Sequence, residues 1–251
     1  MLVICNGAIK SGSTWLFNIL TKLVSLEYPS AEYLTNRSDK HPCIVPDKLA
    51  EFIAQVDIFS ENYITKNHLD GNKYSSILMP HKDVYVIDIK RDIRDVIVSN
   101  YYHDCFRNGY KYEFKKYYWD EGRALAHKLN SYHKSWESYG NNYYLSKYEN
   151  LHNSFEKEVA SIAEVLGLSV GMDKIGLIKE QTSIIKLRKE YKTTPRFEGE
   201  KFFRKGEIGD WKNHFSDQML DDLKKVQRGG VSNNKLSKFF VGLKNNLNKW
   251  R

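Results

Sequence analysis

A glycine-rich segment directly after the first apolar run of the chain has the residue types of a phosphate-binding loop. Gly7 and Gly12 are separated as in the nucleotide-binding pattern G-x-x-x-x-G-K-(S/T), and Thr14 ends the pattern correctly. Ser13 stands where that pattern has its lysine, and Lys10 is the only lysine of the segment. Backbone N–H groups of such a loop surround anionic oxygens, whereas loss of the motif lysine disfavours ATP hydrolysis. By itself the segment is also compatible with a glycine-rich turn that binds no ligand.

The elements around this segment alternate between short apolar runs and stretches with helical spacing. Strands are predicted over residues 2–5, 62–65, 84–89 and 143–145, and helices over 14–26, from 46 onwards, and over 92–103, 123–138 and 154–166. This alternation predicts an α/β fold with a mainly parallel central sheet. Because no repeat or proline-rich linker divides the chain, we expect one domain over residues 1–227 and a basic segment over 228–251 packed on it.

Three patterns that occur in order along the chain identify a family. They are Lys10-Ser11-Gly12-Ser13-Thr14-Trp15, then the run 85–91 followed by Asp95 and Ser99, and finally residues 204–213. The first resembles the K-S-G-(S/T)-T-W loop of the sulfotransferases that use 3′-phosphoadenosine 5′-phosphosulfate (PAPS). The last matches that family's R-K-G-x-x-G-D-W-K-N pattern at every fixed position. The chain resembles the cytosolic, small-molecule branch of the family, which implies a P-loop-like three-layer α/β/α domain.

The resemblance implies PAPS as the donor and 3′-phosphoadenosine 5′-phosphate (PAP) as the product. PAPS carries a 3′-phosphate and a 5′-phosphosulfate, so two separated anion sites are needed. The first site is the loop, with Lys10, Ser11, Gly12, Ser13 and Thr14; the second comprises Arg91, Ser99, Arg204, Lys205 and the Gly206 N–H group. Guanidinium and hydroxyl groups suit a terminal phosphate well.

Recognition of the adenine is also implied by the resemblance. Trp15 corresponds to the family residue that stacks on the base, and Tyr148 and Thr182 correspond to residues beside it. Ile184 stands where the family has an aromatic residue, which weakens the expected stacking. Each aromatic residue taken alone would be interpreted as core packing, and each arginine as a solvated surface residue.

The segment of residues 64–69 resembles the family's L-x-K-T-H-L pattern, with Asn67 in place of the threonine. The resemblance implies that His68 is the general base and that Lys66 contacts the sulfuryl oxygens. It also implies that Lys10 stabilises the bridging oxygen as the S–O bond breaks. An imidazole with an ordinary pKa near 6.5 suits proton removal at neutral pH. No metal is implied, because the sequence has neither an H-E-x-x-H pattern nor paired Cys/His spacing.

A second function class is a non-catalytic nucleotide or nucleic-acid binding module on the same fold. Such a module needs no base at the sulfuryl position, so Lys10, Lys66 and His68 together favour the enzyme. The expected acceptor is a small molecule with a hydroxyl or an amine. Its pocket is predicted to come from residues 33–60, 101–122 and about 184–203, which do not indicate the acceptor's identity.

The charge is unevenly distributed along the chain. Six of the 39 basic residues and none of the 31 acidic ones lie from Arg228 onwards, so residues 1–227 carry only 33 basic residues against 31 acidic, a net charge of +2. This near-neutral body argues against a nucleic-acid partner. Residues 236–250 have amphipathic helical spacing, which predicts a helix packed on the domain or, alternatively, a peripheral contact with a membrane or a partner.

The cellular compartment is predicted from cysteine usage and from apolar runs. Three widely spaced cysteines, Cys5, Cys43 and Cys105, favour reduced thiols over a disulfide framework. No apolar run approaches the roughly 18 residues of a membrane span, and no secretory signal is recognisable. We therefore expect a cytoplasmic protein.

Overall fold

A parallel four-stranded sheet forms the centre of the computed structural model, which describes residues 1–35, 41–55, 61–140, 142–192 and 203–229. The strands are Leu2–Cys5 (β1), Tyr63–Lys66 (β2), Val84–Lys90 (β3) and Tyr143–Lys147 (β4), in the order β2-β1-β3-β4. Cys5 pairs with Lys66 on one side and with Ile87 on the other. The four strands that the sequence predicts, and their parallel arrangement, are confirmed.

Helices connect the strands and cover the sheet. They are Ser13–Leu23 (α1), Leu49–Gln55 (α2), Gly71–Leu78 (α3), Ile93–Arg107 (α4), Phe114–Tyr117 (α5), Arg123–Ser135 (α6), Tyr148–Asn153 (α7), Phe155–Val165 (α8), Met172–Gln181 (α9), Ile184–Glu190 (α10) and Asp217–Gln227 (α11). A π-helical turn, Tyr118–Gly122, joins α5 to α6, and 3-10 turns cover Pro46–Lys48 and Asp210–Asn213. The predicted helices correspond to α1, α2, α4, α6 and α8. The others, α3, α5, α7, α9, α10 and α11, were not predicted.

Apolar packing on both faces of the sheet makes the domain three layers deep. Val3 and Cys5 of β1 face α1, α8 and α9, whereas Leu2 and Ile4 face α2, α3 and Trp136. Successive residues of a strand point to opposite faces, so a strand covered on both sides is apolar throughout. All four residues of β1 are fully buried. The predicted three-layer α/β/α architecture is confirmed.

The parallel strands bring their carboxyl ends to one edge of the sheet, where ligands bind in open α/β folds. The glycine-rich loop follows β1, His68 follows β2, Arg91 follows β3, and Tyr148 follows β4 directly. The sheet order therefore brings together segments that are far apart in the sequence. No helix in the described part of the chain has both the length and the apolar character needed to cross a membrane.

The predicted amphipathic helix in the basic segment lies outside the described residues, which end at Gly229. Its apolar positions are Leu236, Phe239, Phe240, Leu243, Leu247 and Trp250.

Candidate active site

A cavity of about 1260 Å³ opens at the carboxyl ends of the strands. Nearly all the residues selected from the sequence line it: Lys10, Gly12, Ser13, Thr14, Trp15, Lys66, His68, Arg91, Ser99, Tyr148, Thr182, Arg204, Lys205 and Gly206. Ser11 is absent from this wall, because its side chain is buried and its hydroxyl donates to the Ala8 carbonyl at 2.6 Å. Ser11 therefore shapes the loop from within.

The glycine-rich loop ends in a left-handed residue that starts α1. Gly12 has φ 105° and ψ 13°, and no side chain caps the helix there. Its carbonyl accepts from the Trp15 and Leu16 N–H groups at 2.9 and 3.1 Å. No acidic residue lies in the first turn, so the positive end of the helix dipole faces the cavity without a counter-charge from its own turn. This arrangement suits an anionic ligand.

A substitution at Gly12 tests how tightly the loop is packed. A Cβ atom there would lie 2.6 Å from Cδ2 of Tyr148, and the positive φ would strain it further. We expect Gly12→Ala to lower the free energy of unfolding by about 1–3 kcal/mol, measured by denaturant titration. The matched control is Gly176→Ala in α9, where the added methyl meets no atom within 4 Å. The control should raise stability by about 0.5–1 kcal/mol, and equal stability of the two variants would contradict this packing.

Lysine and arginine side chains concentrate positive charge at the loop. Burial, together with the charges of Arg91 and Lys66, lowers the pKa of Lys10 to about 8. Like charges at short range disfavour each other's ionised form, and a bound anion relieves this repulsion. The positive charge at this end of the cavity therefore favours the binding of a negatively charged group.

A second cationic cluster lies on the opposite segment of the wall. Arg204 and Lys205 donate to the buried Asp210 carboxylate at 2.5 and 2.6 Å. Burial by itself would raise the pKa of Asp210, but hydrogen bonds from Lys205, Arg204 and Asn213 hold it well below its usual range. The Arg204 guanidinium also lies 4.0 Å from the centre of the Tyr102 ring. Asp210 and Tyr102 thus fix the direction of two cationic side chains.

The buried Asp95 of α4 joins the second cluster to the sheet. Its two carboxylate oxygens accept from the Gly209 and Trp211 N–H groups at 2.8 and 3.0 Å. Arg91 donates to the Glu207 carbonyl at 2.8 Å, so β3 and the segment before Asp210 are held at two points. Asp95 and Asp210 lie within the sequence patterns, but no role was predicted for either of them. The sequence feature that could have indicated a role is the presence of an acidic residue in a pattern that is otherwise rich in lysine and arginine.

Aromatic rings form a slot beside the loop. The Trp15 ring centre lies 5.5 Å from that of Tyr148, 4.9 Å from His152 and 6.2 Å from Phe155. The Tyr148 hydroxyl donates to the Gly206 carbonyl at 3.1 Å, which ties the slot to the second cluster. His152 and Phe155 were not predicted for this slot. His152 lies four positions after Tyr148 on the same face of α7, whereas Phe155 begins the next helix, α8.

Two buried polar atoms of this slot have no hydrogen-bond partner within the described part of the chain: Trp15 Nε1 and Arg91 Nε. Buried donors are normally paired, so each marks a place for an acceptor atom. The Arg91 guanidinium lies 4.1 Å from the centre of the Tyr148 ring. Thr182, by contrast, is buried and its hydroxyl donates to the Ile178 carbonyl at 2.8 Å, so its side chain is already engaged.

His68 follows β2 and its ring is oriented by the glycine-rich loop. Nδ1 lies 2.5 Å from the Gly7 carbonyl oxygen. Because a carbonyl oxygen only accepts, this contact assigns the ring proton to Nδ1 and the lone pair to Nε2. Lys66, two residues earlier, lines the same cavity and is close enough to influence the pKa of Lys10.

The part of the cavity predicted to receive an acceptor is lined by residues of α4, of the loop between α4 and α5, and of the turn after α5. These are Asn100, His103, Asp104, Arg107, Asn108, Tyr110 and Glu121. Of the predicted acceptor segments, residues 36–40, 56–60 and 193–202 lie outside the described ranges. In the described ranges no three His, Cys, Asp or Glu side chains are grouped as metal ligands.

The fold and the cavity together define a P-loop-like α/β protein in which two cationic clusters and an aromatic slot surround one space. Residues 2–240 match the family model of the sulfotransferase domain. The chain therefore belongs to the sulfotransferase family, and it is a transferase.

Individual relatives show how far this likeness extends. Sulfotransferase 1E1 of Bos taurus is 26% identical over 230 residues, which cover 82% of this chain and 75% of that protein. Sulfotransferase 6B1 of Pan troglodytes is 27% identical over 246 residues, covering 89% and 75%. The crystal structure of mouse sulfotransferase SULT7A1 complexed with PAP has a TM-score of 0.67 at 19% identity, covering 94% of this chain and 86% of that one. At that identity the structural likeness shows the fold.

Proposed function

We propose that this protein transfers the sulfuryl group of PAPS to a hydroxyl or amine of a small-molecule acceptor, with His68 as the general base. The observation that carries the proposal is the His68 Nδ1 contact with the Gly7 carbonyl, which orients the ring on the cavity wall and makes Nε2 the proton-accepting nitrogen of the neutral ring. A nucleotide-binding module without catalysis needs no oriented imidazole beside Lys10. Membership of the sulfotransferase family, together with the cytoplasmic location expected from the sequence, supports a cytoplasmic enzyme.

The described residues fit the proposed donor. The loop with Lys10, Ser13 and Thr14 would hold the 5′-phosphosulfate, and Arg91, Ser99, Arg204, Lys205 and the Gly206 N–H group would hold the 3′-phosphate. The unpartnered Trp15 Nε1 and Arg91 Nε atoms supply donors where a nucleotide supplies acceptors. PAP is bound in the mouse relative's structure. When bound, PAPS supplies the activated sulfuryl group.

The side chains around that group have distinct roles. As the acceptor oxygen bonds to sulfur, its proton passes to Nε2 of His68. The bond between sulfur and the bridging oxygen breaks, and the Lys10 ammonium stabilises the negative charge left on that oxygen. Lys66 would contact the non-bridging sulfuryl oxygens from the end of β2.

The reaction class is tested with labelled PAPS and pools of alcohols, phenols and amines. The expected result is a product that carries the label and has gained one SO₃ group by mass. A protein that binds PAP tightly but transfers no label to any acceptor class would favour the non-catalytic binding module. A His68→Ala variant run in parallel distinguishes enzymatic transfer from contamination.

Donor recognition gives a separate prediction. PAP should bind far more tightly than adenosine 5′-phosphate, because only PAP engages both cationic clusters. Arg91→Ala and Arg204→Ala should each weaken PAP binding by about 1.5–3 kcal/mol, measured by calorimetry. The control is Arg123→Ala, since Arg123 is paired with Asp222 at 2.9 Å and does not line the cavity. Equal affinities for the two nucleotides would contradict the second anion site.

A further inference from the structure

A buried carboxylate lies behind the glycine-rich loop and has no part in the proposed chemistry. Asp88 in β3 is fully buried. It accepts from the Tyr132 hydroxyl and the Tyr143 hydroxyl, each at 3.1 Å, and from the Ile89 N–H group at 3.0 Å. Burial raises the pKa of Asp88 to about 6, although these hydrogen bonds act against the rise. Burying a carboxylate whose hydrogen-bond donors are all neutral costs free energy, so we expect Asp88 to have a structural or functional role.

Tyr132 of α6 connects this carboxylate to the residues that flank His68. Because its hydroxyl proton points to Asp88, its oxygen is available as an acceptor. It accepts from Asn6 Nδ2 at 2.6 Å, and Asn6 directly precedes Gly7 in the chain. Asn6 Oδ1 in turn accepts from the Leu69 N–H group at 2.8 Å, and Asn6 Nδ2 also lies 3.3 Å from the Leu69 carbonyl.

These contacts hold the two backbone segments that lie next to the candidate base, His68. Gly7 supplies the carbonyl that orients the His68 ring, and Leu69 is the next residue in the chain. Gly7 has φ 154° and no side chain, so nothing within the residue itself restricts the rotation of its peptide groups. Trp136 Nε1 adds a further contact to the Leu69 carbonyl at 3.1 Å.

We propose that Asp88, Tyr132 and Asn6 form a positioning network that sets the orientation of the His68 imidazole through the backbone of Gly7 and Leu69. The proposal rests on the proposed function, because it assigns the network to the general base. Hydrogen-bonded partners behind a functional side chain fix its ring orientation and its tautomer. None of the network's hydrogen bonds involves a side chain assigned to the donor, so we expect donor affinity to stay close to that of the parent.

Two variants test this proposal. Each removes one of the two tyrosine hydroxyl groups that donate to the Asp88 carboxylate. Tyr132→Phe breaks the link to Asn6 and should lower kcat by about 10–100-fold. Tyr143→Phe removes the other hydroxyl donor of Asp88 but leaves the link intact, so its kcat should stay close to that of the parent. The dissociation constant of PAP should be the same in both variants and in the parent, which also shows that each is folded.

A measurement without turnover complements these rates. The ¹⁵N chemical shifts of the His68 ring, assigned by comparison with His68→Gln, report which nitrogen carries the proton. Tyr132→Phe should reduce the Nδ1-protonated population, and Tyr143→Phe should leave it unchanged. Equal kcat values or equal shifts in the two Phe variants would overturn the proposal. If instead the parent shows no transfer, or if His68→Ala is active, the proposed function fails while the shift difference can still appear.

Discussion

His68→Ala is expected to lower kcat for sulfuryl transfer by at least about 10²-fold, because a positioned acid–base group contributes 10²–10⁴-fold. The dissociation constant of PAP should barely change, since the imidazole is assigned to the acceptor's proton and not to donor binding, and its Nδ1 contacts the Gly7 carbonyl. Single-turnover rates and calorimetry on the same preparation measure the two quantities. The rise of kcat with pH that a neutral imidazole base requires should disappear in this variant.

Two other histidines serve as references for that result. His81→Ala is the matched control, because His81 is exposed and lies off the cavity wall, so both its kcat and PAP affinity should equal those of the parent. If His68→Ala keeps most of its activity, the assignment of the base is wrong. His103 would then be tested first, since it lines the acceptor side of the same cavity.

Lys10→Ala is expected to reduce kcat by about 10²–10³-fold, the range for loss of one group that stabilises a developing oxyanion. Unlike His68→Ala, it should also weaken PAP binding, because Lys10 belongs to the first cationic cluster. The two variants should therefore look alike in a rate assay and differ in a binding assay. Lys22→Ala, at the other end of α1, is the control and should leave both quantities unchanged.

The pKa of Lys10 adds a direct signature to this prediction. In the free protein burial, Arg91 and Lys66 lower it to about 8, so at pH 8 a substantial fraction of this lysine is neutral. A bound anion favours the protonated form and raises the pKa. PAP binding at pH 8 should therefore take up protons in the parent, measured by calorimetry in buffers of different ionisation enthalpy. Uptake of the same size in Lys10→Ala would show that another group is responsible.

Sequence patterns were sufficient to predict features that depend only on residues close together in the chain. The inner strands β1 and β3 are buried on both faces, and such strands appear in a sequence as apolar runs; the run in β3 is interrupted by Asp88. Their bounds were predicted to within one residue. The helices α9 and α10 bury only two residues and one residue, so the sequence gives little apolar periodicity from which to predict them. The break at Ser154 between α7 and α8 also left α7 outside the predicted helix, although its residues extend the aromatic slot.

The amino-acid sequence by itself determined the family, the glycine-rich loop, the fold class and the cationic motifs, since each depends on residues close together in the chain. Only the tertiary structure decided which side chains face the cavity. It turned Ser11 inward, paired Asp95 with the Gly209 and Trp211 backbone, and placed the His68 ring on Gly7. The Asp95 and His68 contacts join residues that are 114 and 61 positions apart, and they depend on the order and register of the parallel strands. A hydrogen bond needs its two atoms at a fixed distance and angle, which only the packing of the whole domain can set.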